Sequence, residues 1–332
     1  MKPTIVDIAR EAGVSIATVS KAIHNTGRMS EETRKKILTI MQDMNYRPNM
    51  MASALKGKST YTVGLLIPDL SNPFSSEIAR SVEDRGKELG YSVVMCNTDY
   101  DPEKEAWYIS VLNQKRVDGI ISASGFQNED MLRDLVEQHI PIALITRDSK
   151  TIAVDTVTVD DFMGGYQATS YLIGLGHRRI GTIVLDLDNG RERLRGYKHA
   201  LEEAGLPCDE KLILSGFTKE DGKEAAAKLM EYSEPPTAIV AGNDLLAIGV
   251  MLSAKERGII IPDQLSVIGY DNTILAEITT PSLTTMNQPV GEMGRQVMDL
   301  LYQEITGKKK IKKRIVMAPE LVIRESVKPP LS

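Results

Sequence analysis

The sequence predicts two unlike parts. An all-α head of three short helices carries a hinge helix behind it, and an α/β body is built of parallel sheets wound by helices. Three observations carry this. Residues 1–60 place their apolar residues only at helical spacing, whereas from residue 61 apolar runs of four to seven residues alternate with amphipathic stretches. The charge divides at the same place: residues 1–60 hold ten Lys/Arg against five Asp/Glu, and the remainder thirty against forty, within a net charge of −5 over 332 residues. A basic head on an acidic body suits a head that meets a polyanion while the body avoids it.

Composition narrows the class. At 42% hydrophobic and 26% charged the chain is of ordinary globular type. No apolar run approaches the roughly 18 residues of a membrane span, and MKPTIVDIAR has no apolar core of a secretory signal. The expected compartment is the cytoplasm, with no membrane partner. Two cysteines, Cys96 and Cys208, are too few for a disulfide framework.

In the head, Ile5, Ile8, Ala9 and Ala12 mark a first helix after Thr4 as N-cap, and Gly13 breaks it. Ser15 restarts a helix with Val19, Ala22 and Ile23 facing inward. The short Gly13-Val14-Ser15 turn forces a sharp crossing, the helix-turn-helix pattern. Ile16, Ala17 and Thr18, then Ser20 and Lys21, are the outward residues of the second helix. Small side chains let its first turn sit deep in a major groove, where Thr and Lys bond base edges or phosphates. A third helix starts at Ser30 with Glu31 and Glu32 in its first turn, and Ile37, Leu38, Met41 and Met44 as its inward stripe. In Tyr46-Arg47-Pro48-Asn49, Pro48 suits a helix start, and residues 49–56 allow about two turns before Gly57. Leu55 then ends a short polar helix. Either that segment is a linker packed on the body, or it orders on DNA and wedges Leu55 into the minor groove.

The run IVDIAREAGVSIATVSKAIHN, followed by SEETRKKILTIMQDMNYRPNMMASALKGK, resembles the head and hinge of the lactose/galactose-repressor family of bacterial transcriptional regulators. The resemblance implies that Ile16, Ala17 and Lys21 read an operator and that Leu55 intercalates at its central step. Thr4, Thr18, Ser20, His24 and Asn25 match positions near phosphates or bases, and Ser15, Asn49, Ala52 and Lys56 complete the DNA-contacting set. Arg is common in the family where Lys21 stands, so bidentate guanine recognition is weaker here.

In the body the predicted strands are Val63–Ile67, Ser92–Cys96, Gly119–Ser122, Ile142–Ile145 and Val157–Val159. After a helix at about 161–175 come Gly181–Leu185, Leu212–Leu214, Ala238–Ala241, Ser266–Gly269 and Leu283–Thr285. Such alternation implies parallel sheets covered on both faces, in two similar sets. Ligands of wound sheets bind beyond the carboxyl ends of strands. Those ends carry Asp69, Ser71, Asn72 and Phe74, Asn97 and Asp99, Ser124, Thr146 and Arg147, and Asp160 in the first set. The second set carries Asp186, Asp188, Arg191 and Arg193, then Phe217, Asn243 and Asp244, Asp271 and Gln288. This polar ring suits a small ligand with several hydroxyls or a polar ring, although Asp and Asn at strand ends also cap helices.

The stretches DLSNPF, RVDGII, LGHRRIG, RLRGY, AGNDLLAIGV, IPDQLSVIGYDN and LTTMNQP extend the resemblance over nearly the whole chain. It implies a periplasmic-binding-protein-like body with three crossovers. The expected division is a head at 1–47, a hinge helix and linker at 48–60, and a body at 61–332. Lobe one would take about 61–160 plus 290–318, and lobe two 161–289 plus 319–332. Phe74, Arg193, Asn243 and Asp271 match effector-contacting positions, and Phe217 and Tyr108 match aromatic ones. Arg147 and Asp160 complete the ligand set. Sugar-binding relatives often read Asp-Arg where this chain has Thr146-Arg147. That change, with Arg193, favours a sugar acid or phosphate over a neutral sugar. NTDYDPEKE and YDNTILAE resemble the degradation-activator and catabolite-control subgroup, in which a protein corepressor is an alternative to a small effector.

No catalytic pattern appears: His24, His139, His177 and His199 are dispersed, and no G-x-S-x-G or P-loop occurs. No metal and no cofactor are expected. The run Lys308–Arg314 reads as a solvated loop before a last strand at Ile315–Met317, with nucleic-acid binding as its alternative. Past residue 318 there are no heptads, so a homodimer rather than a coiled-coil tetramer is expected. The leading expectation is a ligand-controlled, sequence-specific DNA-binding regulator, a repressor on a pseudo-palindromic operator. A cytoplasmic solute-binding protein is the alternative.

Overall fold

The computed structural model describes residues 3–23, 27–46, 59–126 and 128–331. His24, Asn25 and the hinge candidates Asn49, Ala52, Leu55 and Lys56 lie outside the described residues.

The head has the three anticipated helices, α1 (Ile5–Ala12), α2 (Ile16–Ile23) and α3 (Glu31–Asp43). Thr4 and Asp7 close a capping box at the start of α1, and Gly13, at φ 70°, ends it. The Ser15 hydroxyl accepts from Thr18 N at 3.1 Å and starts α2, and Ser30 does the same for α3 through Thr33 N at 3.1 Å. Ile8, Ala9, Ala12, Val19, Ala22, Ile37 and Met41 form the small core. Leu38 was expected inside and is instead 41% exposed. Ile40 packs inward in its place, because α3 has only one covered stripe and Ile37, Ile40, Met41 and Met44 fill it.

The body contains two six-stranded sheets. Sheet one is wholly parallel. It orders β11 (Arg314–Met317), β5 (Asp155–Val159), β4 (Ile142–Ile145), β3 (Gly119–Ser122), β1 (Thr62–Ile67) and β2 (Ser92–Asn97). Sheet two orders β12 (Glu320–Val322), β10 (Thr284–Asn287), β9 (Ser266–Asp271), β8 (Ala238–Ala241), β6 (Ile180–Val184) and β7 (Ile213–Ser215). Only β12 in it is antiparallel, pairing Thr285 with Val322. Apolar layers lie on both faces of each sheet, which is why the strands read as unbroken apolar runs.

The chain passes between the lobes three times. It runs from β5 into α7 (Asp161–Gly174), from β10 into α12 (Val290–Ile305), and from β11 into β12. The remaining helices are α4 (Pro73–Glu88), α5 (Pro102–Gln114) and α6 (Glu129–Glu137) in lobe one. Lobe two holds α8 (Asp188–Glu203), α9 (Lys219–Met230), α10 (Asp244–Glu256) and α11 (Ile274–Ile278). Helix α12 returns to lobe one, where Val290, Met293, Val297 and Leu301 join its core. No helix among the described residues is long and apolar enough to cross a membrane.

Two readings are corrected. Strand β12 was not anticipated, since three residues carry no periodicity and its place is set by pairing along β10. The Lys308–Arg314 run forms a loop over 308–313 and its last residue, Arg314, opens β11, but the loop is not simply solvated. The Lys309 side chain is 8% exposed and pairs with the wholly buried Asp155, whose other oxygen accepts from Lys313 N at 2.8 Å. A carboxylate on an internal strand requires a cation, and the nearest turn supplies one.

Helices α7 and α8 approach so closely that a Cβ on Gly165 would stand 2.0 Å from Arg193 O, and one on Gly196 2.0 Å from Phe162 O. This contact fixes the position of Arg193. Gly165→Ala should therefore lower the urea unfolding free energy by about 1–3 kcal/mol; a loss indistinguishable from zero would mean that the helices part without cost.

Candidate functional site

On the head, Ser15, Ile16, Ala17 and Lys21 are exposed along the first turns of α2, while Thr18 and Ser20 are half-buried beside them. Ile16 is 43% exposed, an apolar tip that the head's own core does not use. The linker's far end is anchored. Ser59 Oγ and Thr60 N both donate to Asp118, the latter at 2.8 Å, and Thr60 Oγ1 donates to Arg116 O at 2.9 Å. These anchors sit at the amino ends of β1 and β3.

The carboxyl ends of the strands open on a cavity of about 610 Å³ between the lobes, a size ordinary for a small-ligand site. Of the eight ligand residues expected from sequence, six line it: Phe74 and Arg147 from lobe one, and Arg193, Phe217, Asn243 and Asp271 from lobe two. Two do not. Asp160 is occupied as the N-cap of α7, accepting from Met163 N at 2.9 Å, and its own N–H bonds Met317 O. Tyr108 lies within α5 and packs on the flank of sheet one beside Trp107, because a mid-helix position points at the sheet rather than past its strand ends.

Sequence reading missed Tyr100. It follows β2 in a left-handed turn, with φ of 52° at Asp99 and 55° at Tyr100, and its ring stands 6.0 Å from Phe217 of the opposite lobe. An aromatic residue in the Asp99-Tyr100-Asp101-Pro102 turn was the available signal. Leu185, Leu187 and Leu245, which make part of the lining apolar, were missed as well.

Arg193 is the most constrained group. Its Nε donates to Asp161 at 2.8 Å, its Nη1 to Gly242 O at 2.5 Å, and its Cζ lies 3.5 Å over the Tyr270 ring. Burial opposes its charge, but Asp161, Tyr270 and Asp271 hold it firmly protonated above its ordinary range. Burial also raises Asp161 despite the pull of Arg193. Asp271, at φ 112°, accepts from Gln288 Nε2 at 2.7 Å, and burial pushes it well above the usual carboxylate range. Such a backbone conformation in a non-glycine residue is strained and persists only where its surroundings hold it. Asn243 caps α10 through Leu246 N at 2.7 Å, which leaves its amide N–H groups available.

Behind this wall, the Asp244 carboxylate accepts from Thr273 N at 2.7 Å, Thr273 Oγ1 at 2.9 Å and Thr285 Oγ1 at 2.6 Å. Burial nevertheless pushes it up to about 6. The folded value exceeds that of an unfolded aspartate, so the native state holds an extra proton between about pH 4 and 6. That contribution to stability is present at acid pH and is lost as pH rises through 6. Unfolding free energy of the wild type relative to Asp244→Asn should therefore fall between pH 5 and pH 7.5; a difference that grows over this range would contradict the assignment.

Comparison with known proteins identifies both parts. Residues 4–49 match the profile of bacterial regulatory proteins of the lacI family. Residues 60–324 match that of periplasmic binding proteins and the sugar binding domain of the LacI family. The chain is 48% identical over 335 residues to the HTH-type transcriptional regulator DegA of Bacillus subtilis (strain 168), covering 99% of each chain. It is 38% identical over 333 residues to catabolite control protein A of Priestia megaterium, covering 99% of this chain and 100% of the relative. Among solved structures, the lac repressor dimer bound to operator and an anti-inducer superimposes with a TM-score of 0.81 at 26% identity. That match covers 99% of this chain and 100% of that one.

Proposed function

The chain belongs to the LacI family of bacterial transcriptional regulators, and from that premise we propose that it binds a pseudo-palindromic operator as a homodimer and is released or recruited by a small polar effector held between its lobes. The observation that carries this is the cleft. Both lobes contribute polar and aromatic side chains to one ligand-sized cavity, while the linker is anchored to lobe one at Asp118, at the opposite end of the same sheet. Closure of the lobes on a ligand then moves the anchors of the two hinges relative to one another. Coupling of this kind is typically about 1–3 kcal/mol. The relatives it matches are transcriptional regulators, not enzymes. A cytoplasmic setting follows from the same reading.

In this proposal Ile16, Ala17 and Lys21 read base edges, with Thr4, Ser15, Thr18, Ser20, His24 and Asn25 on or near the backbone. Asn49, Ala52, Leu55 and Lys56 act from the hinge in the minor groove. The test is selection of genomic fragments by the full-length protein, followed by affinity measurement on the recovered palindrome. Leu55→Ala should weaken specific binding by roughly tenfold or more yet leave weak, salt-sensitive binding intact. Unchanged specific affinity would remove the wedge. Recovery of a palindrome only when cell extract is added would favour a protein corepressor, and no recovery under either condition would favour a solute-binding protein.

The dimer has a surface available to it. Leu70, Val94 and Met95 are exposed at the β2 edge of lobe one, and Leu252, Ile260, Ile274 and Ile278 on and around α10 and α11 of lobe two. Large apolar side chains on an edge strand invite pairing with another chain. Met95→Asp combined with Ile278→Asp should give monomers in sedimentation velocity and lose operator binding; a dimer that survives both would place the two-fold contact elsewhere.

A further inference from the structure

The polar groups around the cleft divide into those already occupied and those still free, and the division bears on the charge of the ligand. The argument rests on the cleft being the effector site. Arg193 is engaged by Asp161, Gly242 O and the Tyr270 face. Asp99 is paired with Lys104, and Asp69 accepts from Ser71 N and Oγ at 2.8 and 2.7 Å. The Thr146 hydroxyl is turned to Ala123 O at 3.0 Å.

Arg147 is different. It is half-buried in the wall of lobe one, with its stem against the Gly125 turn, where a Cβ would meet its Cγ at 3.2 Å. Its guanidinium makes no hydrogen bond and no ion pair among the described residues. Burial lowers its pKa, and the Tyr100, Asp188 and Asp161 side chains that bear on it electrostatically do not close on it. A cation taken partly out of water without a partner is uncompensated, and a carboxylate meeting its planar fork in bidentate geometry supplies the missing interaction.

We propose that the effector is a sugar acid carrying a single carboxylate, which pairs with Arg147 while the sugar ring packs against the Tyr100–Phe217 pair. A neutral sugar offers Arg147 hydroxyl acceptors but no counter-charge. A phosphate dianion meets too little positive charge, because Arg147 is the one unpartnered cation of the lining among the described residues, Lys219 being paired with Glu220 at 3.2 Å, and Asp69 and Asp99 share the cavity. The helix N-termini around the cleft offer no substitute. Those of α4, α9 and α10 are capped by Asn72, Thr218 and Asn243. That of α8 carries Asp188 in its first turn, with Gly190 N bonded to Asn189.

The test is calorimetric titration of the full-length protein with D-glucuronate and D-galacturonate, beside D-glucose, D-galactose and glucose 6-phosphate. At least one acid should bind about 10-fold or more tightly than its neutral counterpart. Arg147→Met should weaken that acid by about 10–100-fold while Arg147→Lys retains part of the affinity. Binding of a neutral sugar or of the phosphate in preference to every acid, the absence of acid binding, or acid binding unchanged in Arg147→Met would each overturn the proposal. The melting temperature of each variant distinguishes lost binding from lost fold. Repeating the titrations with the selected operator separates the two levels: a neutral sugar that shifts operator affinity overturns the sugar acid and keeps the regulator, whereas failure to select any operator overturns the regulator and leaves calorimetry to decide the ligand.

Discussion

One buried guanidinium sets the shape of the cleft. Arg193 is 6% exposed, and a charge so far from water is tolerated only when acceptors and opposite charge answer its donors. Asp161, the Gly242 carbonyl and the Tyr270 ring meet them, and each comes from a different segment of lobe two. Asp161 is the first residue of α7, directly after the first crossover. For it to reach Arg193 on α8, the two helices must touch backbone to backbone, and Gly165 and Gly196 make that contact sterically open. The glycines, the crossover and the site are thus one constraint.

The second crossover is tied to the same place. Gln288, just before α12, donates to Asp271 at the end of β9, and α12 belongs to the core of lobe one. Two of the three segments that pass between the lobes therefore begin beside residues that line the cleft. A ligand that alters the bonding of Arg193 or Asp271 acts beside the first two of these crossovers. The head is fastened at the other end of sheet one, through Ser59 and Thr60 on Asp118. The length of the strands lies between, so a small rotation at the cleft becomes a displacement at the linker.

Electrostatics separates the two ends by function. The head carries the excess of Lys and Arg, and its outward α2 face is small or polar except for Ile16. The body is acidic, and its buried cations are matched one by one: Arg193 by Asp161, and Lys309 by Asp155. A polyanion is drawn to the head and kept from the body. Against that background of paired charge, Arg147 is conspicuous only because its neighbours stop short of it.

Much of this was legible in the chain. Helix limits in the head follow from Thr4, Gly13, Ser15 and Ser30, whose local hydrogen bonds and turn geometry need no tertiary partner. The strands of both sheets follow from apolar runs buried on two faces, and six of eight expected ligand residues reach the cleft because strand ends in a wound sheet converge. What a residue does at a strand end was not legible. Asp160 and Asp161 are adjacent and alike in sequence, yet one caps a helix and the other holds Arg193. Tyr108 looked like a ligand aromatic and packs on a sheet, while Tyr100 turned into the cleft through a left-handed turn. Leu38 faces water and β12 exists only as the edge partner of β10. The sequence determined where the chain is helical, extended or broken, because those choices are made by neighbours a few residues apart. Only the tertiary structure decided which polar groups find partners and which, like Arg147 among the described residues, do not, because that depends on segments a hundred residues apart being brought within a hydrogen bond's length.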